Sequence, residues 1–97
     1  MAMHDPPHPG AFIVAVFLEP RGVTGRELAS MLAVSPSTLN RVLTGKSGIS
    51  PEMALRLSKC LGRSPESWLA MQHAYDLWQA GKRIDLSEVE QLKSGAA

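Results

Sequence analysis

Two short helices joined by a tight turn are predicted over residues 24–45, TGRELASMLAVSPSTLNRVLTG, and this pair leaves few folds open to the chain. Thr24 and Glu27 form a T-x-x-E capping box at the start of the first of them. Ser35 caps the second, a proline follows at its first position, and Gly45 ends it. Because only Ala33 and its neighbour separate the two helices, the chain must bend sharply there. The pattern predicts a helix-turn-helix.

The leading face of the second helix of this pair carries polar side chains that a core does not need. These side chains are Ser37, Thr38, Asn40 and Arg41. Asparagine can pair with adenine and arginine with guanine through two hydrogen bonds, while short hydroxyls reach phosphates or base edges. Helix pairs with short turns also occur as ordinary hairpins in helical domains, which is the alternative. The polar face favours DNA binding, with Asn40 and Arg41 expected to read bases.

Positive charge is concentrated on the predicted helix-turn-helix and the segment after it. The formal net charge of the chain is +1, but residues 21–63 hold seven basic and two acidic residues, a balance of +5. Residues 1–20 and residues 64–97 each carry −2. The alternative interpretation of this positive charge is a solvated basic face, and the positive excess that a single chain carries is small. We therefore expect DNA phosphates to lie along this region, with a dimer doubling the charge.

Length and composition favour a single cytoplasmic domain. A chain of 97 residues can bury one modest core. No stretch reaches the ~18–20 apolar residues of a membrane span, and the amino terminus lacks the basic start of a signal peptide. Cys60 stands alone, so the sequence offers neither a disulfide framework nor a thiolate metal cluster. We expect no membrane partner.

Catalytic and metal-binding interpretations find no support in the residue pattern. His4, Asp5 and His8 suggest metal ligands, but they lie in a proline-rich terminus without fixed geometry. No Ser/His/Asp or Cys/His set with a family signature occurs, and the glycines match no phosphate-binding loop. We expect neither an enzyme nor a cofactor.

Three further helices are predicted around the central pair, which makes the chain all-α. Residues 10–19 form the first helix, ended by Pro20, although its β-branched residues also permit a strand. Ser50 and Ser64, each followed by proline, open a fourth and a fifth helix, and the fifth ends near Gly81.

The expected organisation has three parts. An extended arm covers residues 1–9, a helix-turn-helix domain covers residues 10–81, and a short carboxyl-terminal extension covers residues 82–97. The extension has a weak amphipathic pattern, which favours a short helix or a frayed tail.

The fifth predicted helix carries more aromatic surface than so small a domain needs. Trp68, Tyr75 and Trp78 recur at helical spacing. Core packing against the first helix is the alternative, in particular for Trp68. Because aromatic residues are enriched at interfaces, we expect these three side chains to form the interface of a homodimer.

Four segments and the spacing between them resemble a known family. They are His8-Pro9-Gly10, Phe17-Leu18-Glu19-Pro20, LTGKSGISPEMALRLSKCLG and SPESWLAMQHAYDL. They resemble HigA/VapI-type antitoxins of the λ-repressor-like (Xre) helix-turn-helix class over roughly residues 8–80. The resemblance implies a five-helix DNA-binding domain, a homodimer and a palindromic double-stranded operator before a toxin–antitoxin operon. It also implies a HigB-like partner, a small basic ribonuclease that cleaves messenger RNA on the ribosome and that the antitoxin neutralises.

The resemblance also implies roles for individual residues. By position, Thr24 and Arg26 would touch phosphate near the start of the first helix of the central pair. The groove-facing set would be Ser35, Ser37, Thr38, Asn40 and Arg41, and the backbone contacts beyond it would come from Thr44, Lys46 and Ser47. The family commonly has Gly at Ala33, Asn at Thr44 and Arg at Ser47. The alanine at position 33 implies a strained left-handed backbone.

Two functions from different classes follow. One is an antitoxin that also represses its own operon. The other is a stand-alone Xre-type transcriptional repressor without a toxin partner, and an interaction module that has lost DNA binding is a weaker third. The neighbouring gene distinguishes the first two, because a basic open reading frame beside this one would indicate the toxin.

Overall fold

The computed structural model describes residues 5–93, and over that range the chain forms five α-helices and no strand. They are α1 (Pro9–Ile13), α2 (Gly25–Leu32), α3 (Pro36–Leu43), α4 (Pro51–Leu61) and α5 (Pro65–Arg83). A π-helical turn (Val14–Leu18) and a 3-10 turn (Glu19–Arg21) continue α1. The predicted all-α fold with five helices is confirmed.

Helices α2 to α5 begin at the caps that the sequence predicts. The Thr24 Oγ1 accepts the Glu27 backbone N–H at 3.1 Å, and the Glu27 carboxylate accepts the Thr24 N–H at 2.8 Å. These bonds lower the pKa of Glu27, chiefly through the backbone N–H of Thr24. Ser35, Ser50 and Ser64 each accept the N–H three residues on, at 3.0–3.1 Å. Each serine cap stabilises its helix by about 1 kcal/mol.

The first helical segment departs from its predicted bounds at both ends. It begins at Pro9 rather than Gly10, because the His8 Nδ1 caps it by accepting the Gly10 N–H at 2.9 Å. It also continues past Pro20, which lies in the 3-10 turn. Proline lacks an N–H and fits the first turn of a helix, so it opens this turn instead of ending the segment. The predicted arm therefore ends at His8.

The carboxyl-terminal end is less helical than predicted. Helix α5 runs past Gly81 to Arg83, and residues 84–93 contain no helix. A single turn there is closed by the Val89 N–H to the Leu86 carbonyl at 3.0 Å. The apolar side chains of this segment are 58–85% exposed. Without a core to pack on, so short an amphipathic helix is unstable, so of the two alternatives for the extension the helix is wrong over residues 84–93, and the non-helical tail agrees with the structure. Residues 94–97 of that extension lie outside the described range.

The centre of the core is a fully buried tryptophan on α5. Trp68 is 0% exposed, and its indole N–H donates to the Gly62 carbonyl at 2.9 Å. Phe12 and Phe17, from the first helical segment, pack against it with ring centroids 6.0 and 6.1 Å away. The prediction that Trp68 forms a dimer contact is wrong, because its own chain covers it completely. The alternative of packing against the first helix is confirmed for this residue.

Helix α1 approaches the end of α3 closely enough to exclude any side chain at Gly10. A Cβ there would overlap the Val42 carbonyl oxygen and lie 2.8 Å from the Leu43 Cα. The buried Ile13, on the same helix, belongs to the core that Leu39 and Val42 of α3 also enter. Helix α3 is thus held from behind, and its opposite face is left outward.

Candidate nucleic-acid interface

The turn between α2 and α3 has the tight geometry of a helix-turn-helix. Ala33 adopts a left-handed conformation with φ 59° and ψ 42°, and the Val34 N–H donates to the Ala29 carbonyl at 3.0 Å. This is the backbone pattern for which glycine is usual, and alanine there costs about 1–2 kcal/mol. The strain expected at Ala33 is confirmed. Arg56 on α4 donates to the Leu32 carbonyl at 2.8 Å and so holds the turn, a role that the sequence did not reveal.

The five side chains predicted to face the groove are exposed, one at the cap of α3 and four on its outward face. Leu39 and Val42 point into the core and are at most 3% exposed. The exposed set is Ser35, Ser37, Thr38, Asn40 and Arg41. Because the side chains of Asn40 and Arg41 are uncovered, their hydrogen-bonding groups can reach a partner. Both side chains are therefore accessible from solvent on this face.

The hydroxyls at the start of α3 differ in what they can offer a partner. The Ser35 Oγ accepts the Thr38 N–H at 3.1 Å, and its hydroxyl donates to the Thr38 Oγ1 at 2.8 Å. Ser35 is therefore engaged in capping, while Thr38 can still donate its own hydroxyl hydrogen. The Thr44 hydroxyl donates to the Asn40 carbonyl at 2.8 Å, so its hydrogen is used at the end of α3 and is not available to a phosphate.

Arg26 lies beside this face, although it belongs to the preceding helix. An open groove between the start of α2 and α3 is lined by Gly25, Arg26, Pro36, Ser37, Asn40 and Leu43. Gly25 permits this approach, because a Cβ there would lie 3.2 Å from the Leu43 side chain. Arg26 is exposed, as is the cap residue Thr24. The groove brings a predicted phosphate anchor next to a predicted base-reading residue.

The loop after α3 folds back on the end of that helix. The Arg41 carbonyl accepts the N–H groups of Lys46 and Ser47 at 2.8 and 3.0 Å. Gly45 makes the turn with φ 81°. The Lys46 side chain is exposed and Ser47 is half-buried, so the loop presents a cation next to the outward face of α3.

The sequence model of a family described as helix-turn-helix matches residues 16–68, more than half of the chain. That range includes α2, α3 and α4. The chain belongs to this helix-turn-helix family. The known proteins that the chain resembles indicate its subgroup within this family.

This helix-turn-helix protein is similar to regulators and antitoxins along most of its length. It is 41% identical to the uncharacterized HTH-type transcriptional regulator YddM of Escherichia coli (strain K12), over 95% of this chain and 97% of that protein. It is 38% identical to antitoxin HigA-1 of Vibrio cholerae, over 76% of this chain and 70% of that protein. The solved structure of antitoxin GraA in complex with its operator matches with a TM-score of 0.81 and 38% identity, over 97% of each chain. The predicted resemblance to HigA-type antitoxins of the Xre class is confirmed.

The remaining aromatic residues of α5 differ from Trp68 in exposure. Tyr75 and Trp78 are half-buried, and Leu77 between them is 74% exposed. The Tyr75 ring packs edge-on against His8, with centroids 4.9 Å apart. Tyr75 therefore contacts its own amino-terminal arm.

Neither metal ligands nor a membrane span are found in the described part of the helix-turn-helix protein. Residues 5–93 contain no group of three or more His, Cys, Asp or Glu side chains placed to hold a metal ion. His8 serves as a helix cap, and His4 lies outside the described residues. Over the same range, none of the helices combines the length and the apolar character that crossing a bilayer requires.

His8 is expected to make the protein less stable as the pH falls from 7 to 5. Burial lowers the pKa of His8 from its ordinary value of 6.5, while Asp76 and the backbone of Ser47 raise it in part. The unfolded chain thus binds this proton more readily than the folded chain does. The contribution of neutral His8 to the free energy of unfolding is complete above pH 6.5. It is lost as the pH falls through the lowered pKa of His8 in the folded state.

The variant His8→Asn isolates this effect, because asparagine can also cap the helix but does not titrate. Its free energy of unfolding in urea should fall less between pH 7 and pH 5 than that of the unchanged protein. Glu27 does not obscure the comparison, since its lowered pKa acts below 4.5. An equal fall in both proteins would exclude His8 as the source.

Proposed function

We propose that this helix-turn-helix protein is the antitoxin of a type II toxin–antitoxin system. In this proposal it represses its own operon by sequence-specific DNA binding and neutralises a HigB-like toxin that cleaves messenger RNA. The observation that carries the DNA-binding part is the uncovered polar face of α3, with Asn40 and Arg41 exposed. The naming of HigA-1 and GraA as antitoxins, and the operator bound to GraA, support the assignment. The protein would act in the cytoplasm, without catalysis of its own.

DNA recognition follows from the geometry of the outward face. The amino-terminal part of α3 would enter the major groove, where Asn40 and Arg41 read base edges. Thr24, Arg26, Lys46 and Ser47 flank that face and would contact phosphates, which fix the position of the protein on the duplex. Ser37 and Thr38 would contact phosphates or base edges, while Ser35 acts mainly as a cap. Thr44 would contribute only if its hydroxyl turned away from the helix end.

The palindromic operator proposed here requires a homodimer. A two-fold dimer places two recognition helices about 34–36 Å apart, or a multiple of that distance, so that both enter the same side of the duplex. It also doubles the number of phosphate contacts. Tyr75 and Trp78, both half-buried within their own chain, would supply the apolar part of the interface.

Removing the indole of Trp78 is expected to weaken the dimer. Aromatic anchors at the centre of an interface cost about 2 kcal/mol or more when truncated, a factor of roughly 30 in the dimer dissociation constant. Sedimentation equilibrium of Trp78→Ala at micromolar concentration should show a larger monomer fraction than the unchanged protein does. His73→Ala, an exposed residue of the same helix, is the control. A Trp78→Ala protein that remains fully dimeric would exclude Trp78 as an anchor.

The toxin-neutralising part is tested with the product of the adjacent gene. The two proteins would be purified together, and messenger RNA cleavage by the partner would be measured with and without this chain. The proposal expects a stable complex and loss of cleavage at equimolar addition. Unchanged cleavage without a complex would reject the antitoxin function. The stand-alone repressor would then remain, which the similarity to the transcriptional regulator YddM favours as the second candidate.

A further inference from the structure

A buried polar side chain on α5 links that helix to the loop after α3. Gln72 is 5% exposed, and its Oε1 accepts the backbone N–H of Ile49 at 2.8 Å. Its Nε2 donates to the Asp76 carboxylate at 2.9 Å, one turn further along α5. Buried side-chain amides are nearly always hydrogen-bonded, and here the two bonds join the loop backbone to α5. Gln72 thus fixes the end of the loop against α5.

Close packing supports the same link. A Cβ at Gly48 would lie 3.0 Å from the amide group of Gln72, so the loop backbone rests directly on this side chain. A Cβ at Gly45 would lie 3.7 Å from the His8 ring, and that ring faces both Asp76 and the backbone of Ser47. The Gln72 and Asp76 pair and the His8 ring therefore hold the loop from the side opposite its exposed surface.

The other end of the loop is hydrogen-bonded to α3. The N–H groups of Lys46 and Ser47 both donate to the Arg41 carbonyl. The loop at residues 45–49 consequently spans from the end of α3 to Gln72, with the exposed Lys46 as its second residue. Lys46 and Ser47 are thus bonded to α3 at one end of the loop, and Gln72 fixes its other end at Ile49.

We propose that Gln72 and Asp76 are positioning residues for DNA binding, which hold the 45–49 loop so that Lys46 can reach a phosphate. The proposal rests on the proposed DNA-binding function. Neither residue belongs to the outward face of α3, and both act through the loop. A purely structural role would lower stability without changing the number of phosphate contacts, so the salt dependence of binding separates the two roles.

The experiment measures binding to a duplex that carries the sequence upstream of the protein's own gene, over a range of salt concentrations. Loss of one phosphate contact makes the slope of log affinity against log salt shallower by about 0.9, which corresponds to roughly five-fold weaker binding at 0.15 M salt. Gln72→Met and Lys46→Ala should each produce this change. Gln79→Met, the same exchange two turns further along α5, is the control and should not.

A double-mutant cycle gives the decisive result. If Gln72 acts through Lys46, the Gln72→Met, Lys46→Ala protein should lose no more affinity and no more slope than Lys46→Ala alone. Independent losses that multiply to roughly 25-fold, with a slope shallower by about 1.8, would overturn the proposal. So would Gln72→Met binding with an unchanged slope.

A second pair of variants covers the case in which Gln72→Met fails to fold. Gln72→Glu keeps an acceptor for the Ile49 N–H but loses the donor to Asp76 and places two carboxylates together. Adding Asp76→Asn restores a donor–acceptor pair and the original net charge, so it should restore the slope that Gln72→Glu loses. An unchanged slope in Gln72→Glu, or no recovery in the pair, would reject the positioning role. A wild-type protein that shows no preference for the duplex would reject the proposed function itself.

Discussion

Gly10→Ala is expected to destabilise the domain by about 3 kcal/mol or more, the largest stability effect that we predict. Overpacking costs about 1–3 kcal/mol when flexible side chains can move aside. At Gly10 the atoms in the way are backbone atoms of Val42 and Leu43, so α1 and the end of α3 must separate. For a domain of this length the melting temperature should fall by roughly 12–24 °C. Circular dichroism during heating measures the fall.

The control is Gly81→Ala. A Cβ at Gly81 would have open space around it, and the residue lies within α5. Alanine is favoured over glycine inside a helix by about 0.5–1 kcal/mol, so this variant should melt slightly higher than the unchanged protein. Similar melting of the two variants would contradict the close approach of α1 to α3.

Arg41→Ala is expected to weaken binding to the operator by about 1–3 kcal/mol, or roughly 5–150-fold, and to relax the preference at one base pair. The guanidinium is exposed on the outward face of α3, where it can form two hydrogen bonds with a guanine. Removing these bonds should reduce affinity for the operator more than affinity for random DNA. Fluorescence anisotropy with both duplexes measures the two losses.

Lys46→Ala provides the contrast. Its exposed ammonium is expected to contact phosphate, which carries no sequence information. The substitution should therefore weaken binding to the operator and to random DNA alike. It should also make the slope of log affinity against log salt shallower by about one unit. Equal losses on both duplexes for Arg41→Ala would reject its role in base reading.

Local signals account for what the sequence predicts well. A serine cap and the proline after it act within one helical turn, so the starts of α3, α4 and α5 follow from their own residues. The exposure of Asn40 and Arg41 follows from the helical spacing of Leu39 and Val42, which turns the opposite face outward. The core side and the exposed side of α3 were therefore predictable.

Long-range contacts account for what the sequence did not predict. The spacing of Trp68, Tyr75 and Trp78 places aromatic residues along α5, but it does not say which of them the first helical segment covers. Gln72 and Ile49 lie 23 positions apart, and no local pattern marks their hydrogen bond. One local contact was also missed, because histidine is not among the usual capping residues: the His8 side chain accepts the N–H of Gly10, two residues on.

The central claim is that the outward face of α3 reads DNA sequence. The most direct measurement compares binding of the wild-type protein to the duplex upstream of its own gene and to a shuffled duplex of the same composition, at 0.15 M salt. We expect at least a roughly 10³-fold preference for the upstream duplex, in the range of specific DNA-binding proteins. Equal affinity for the two duplexes would contradict the account.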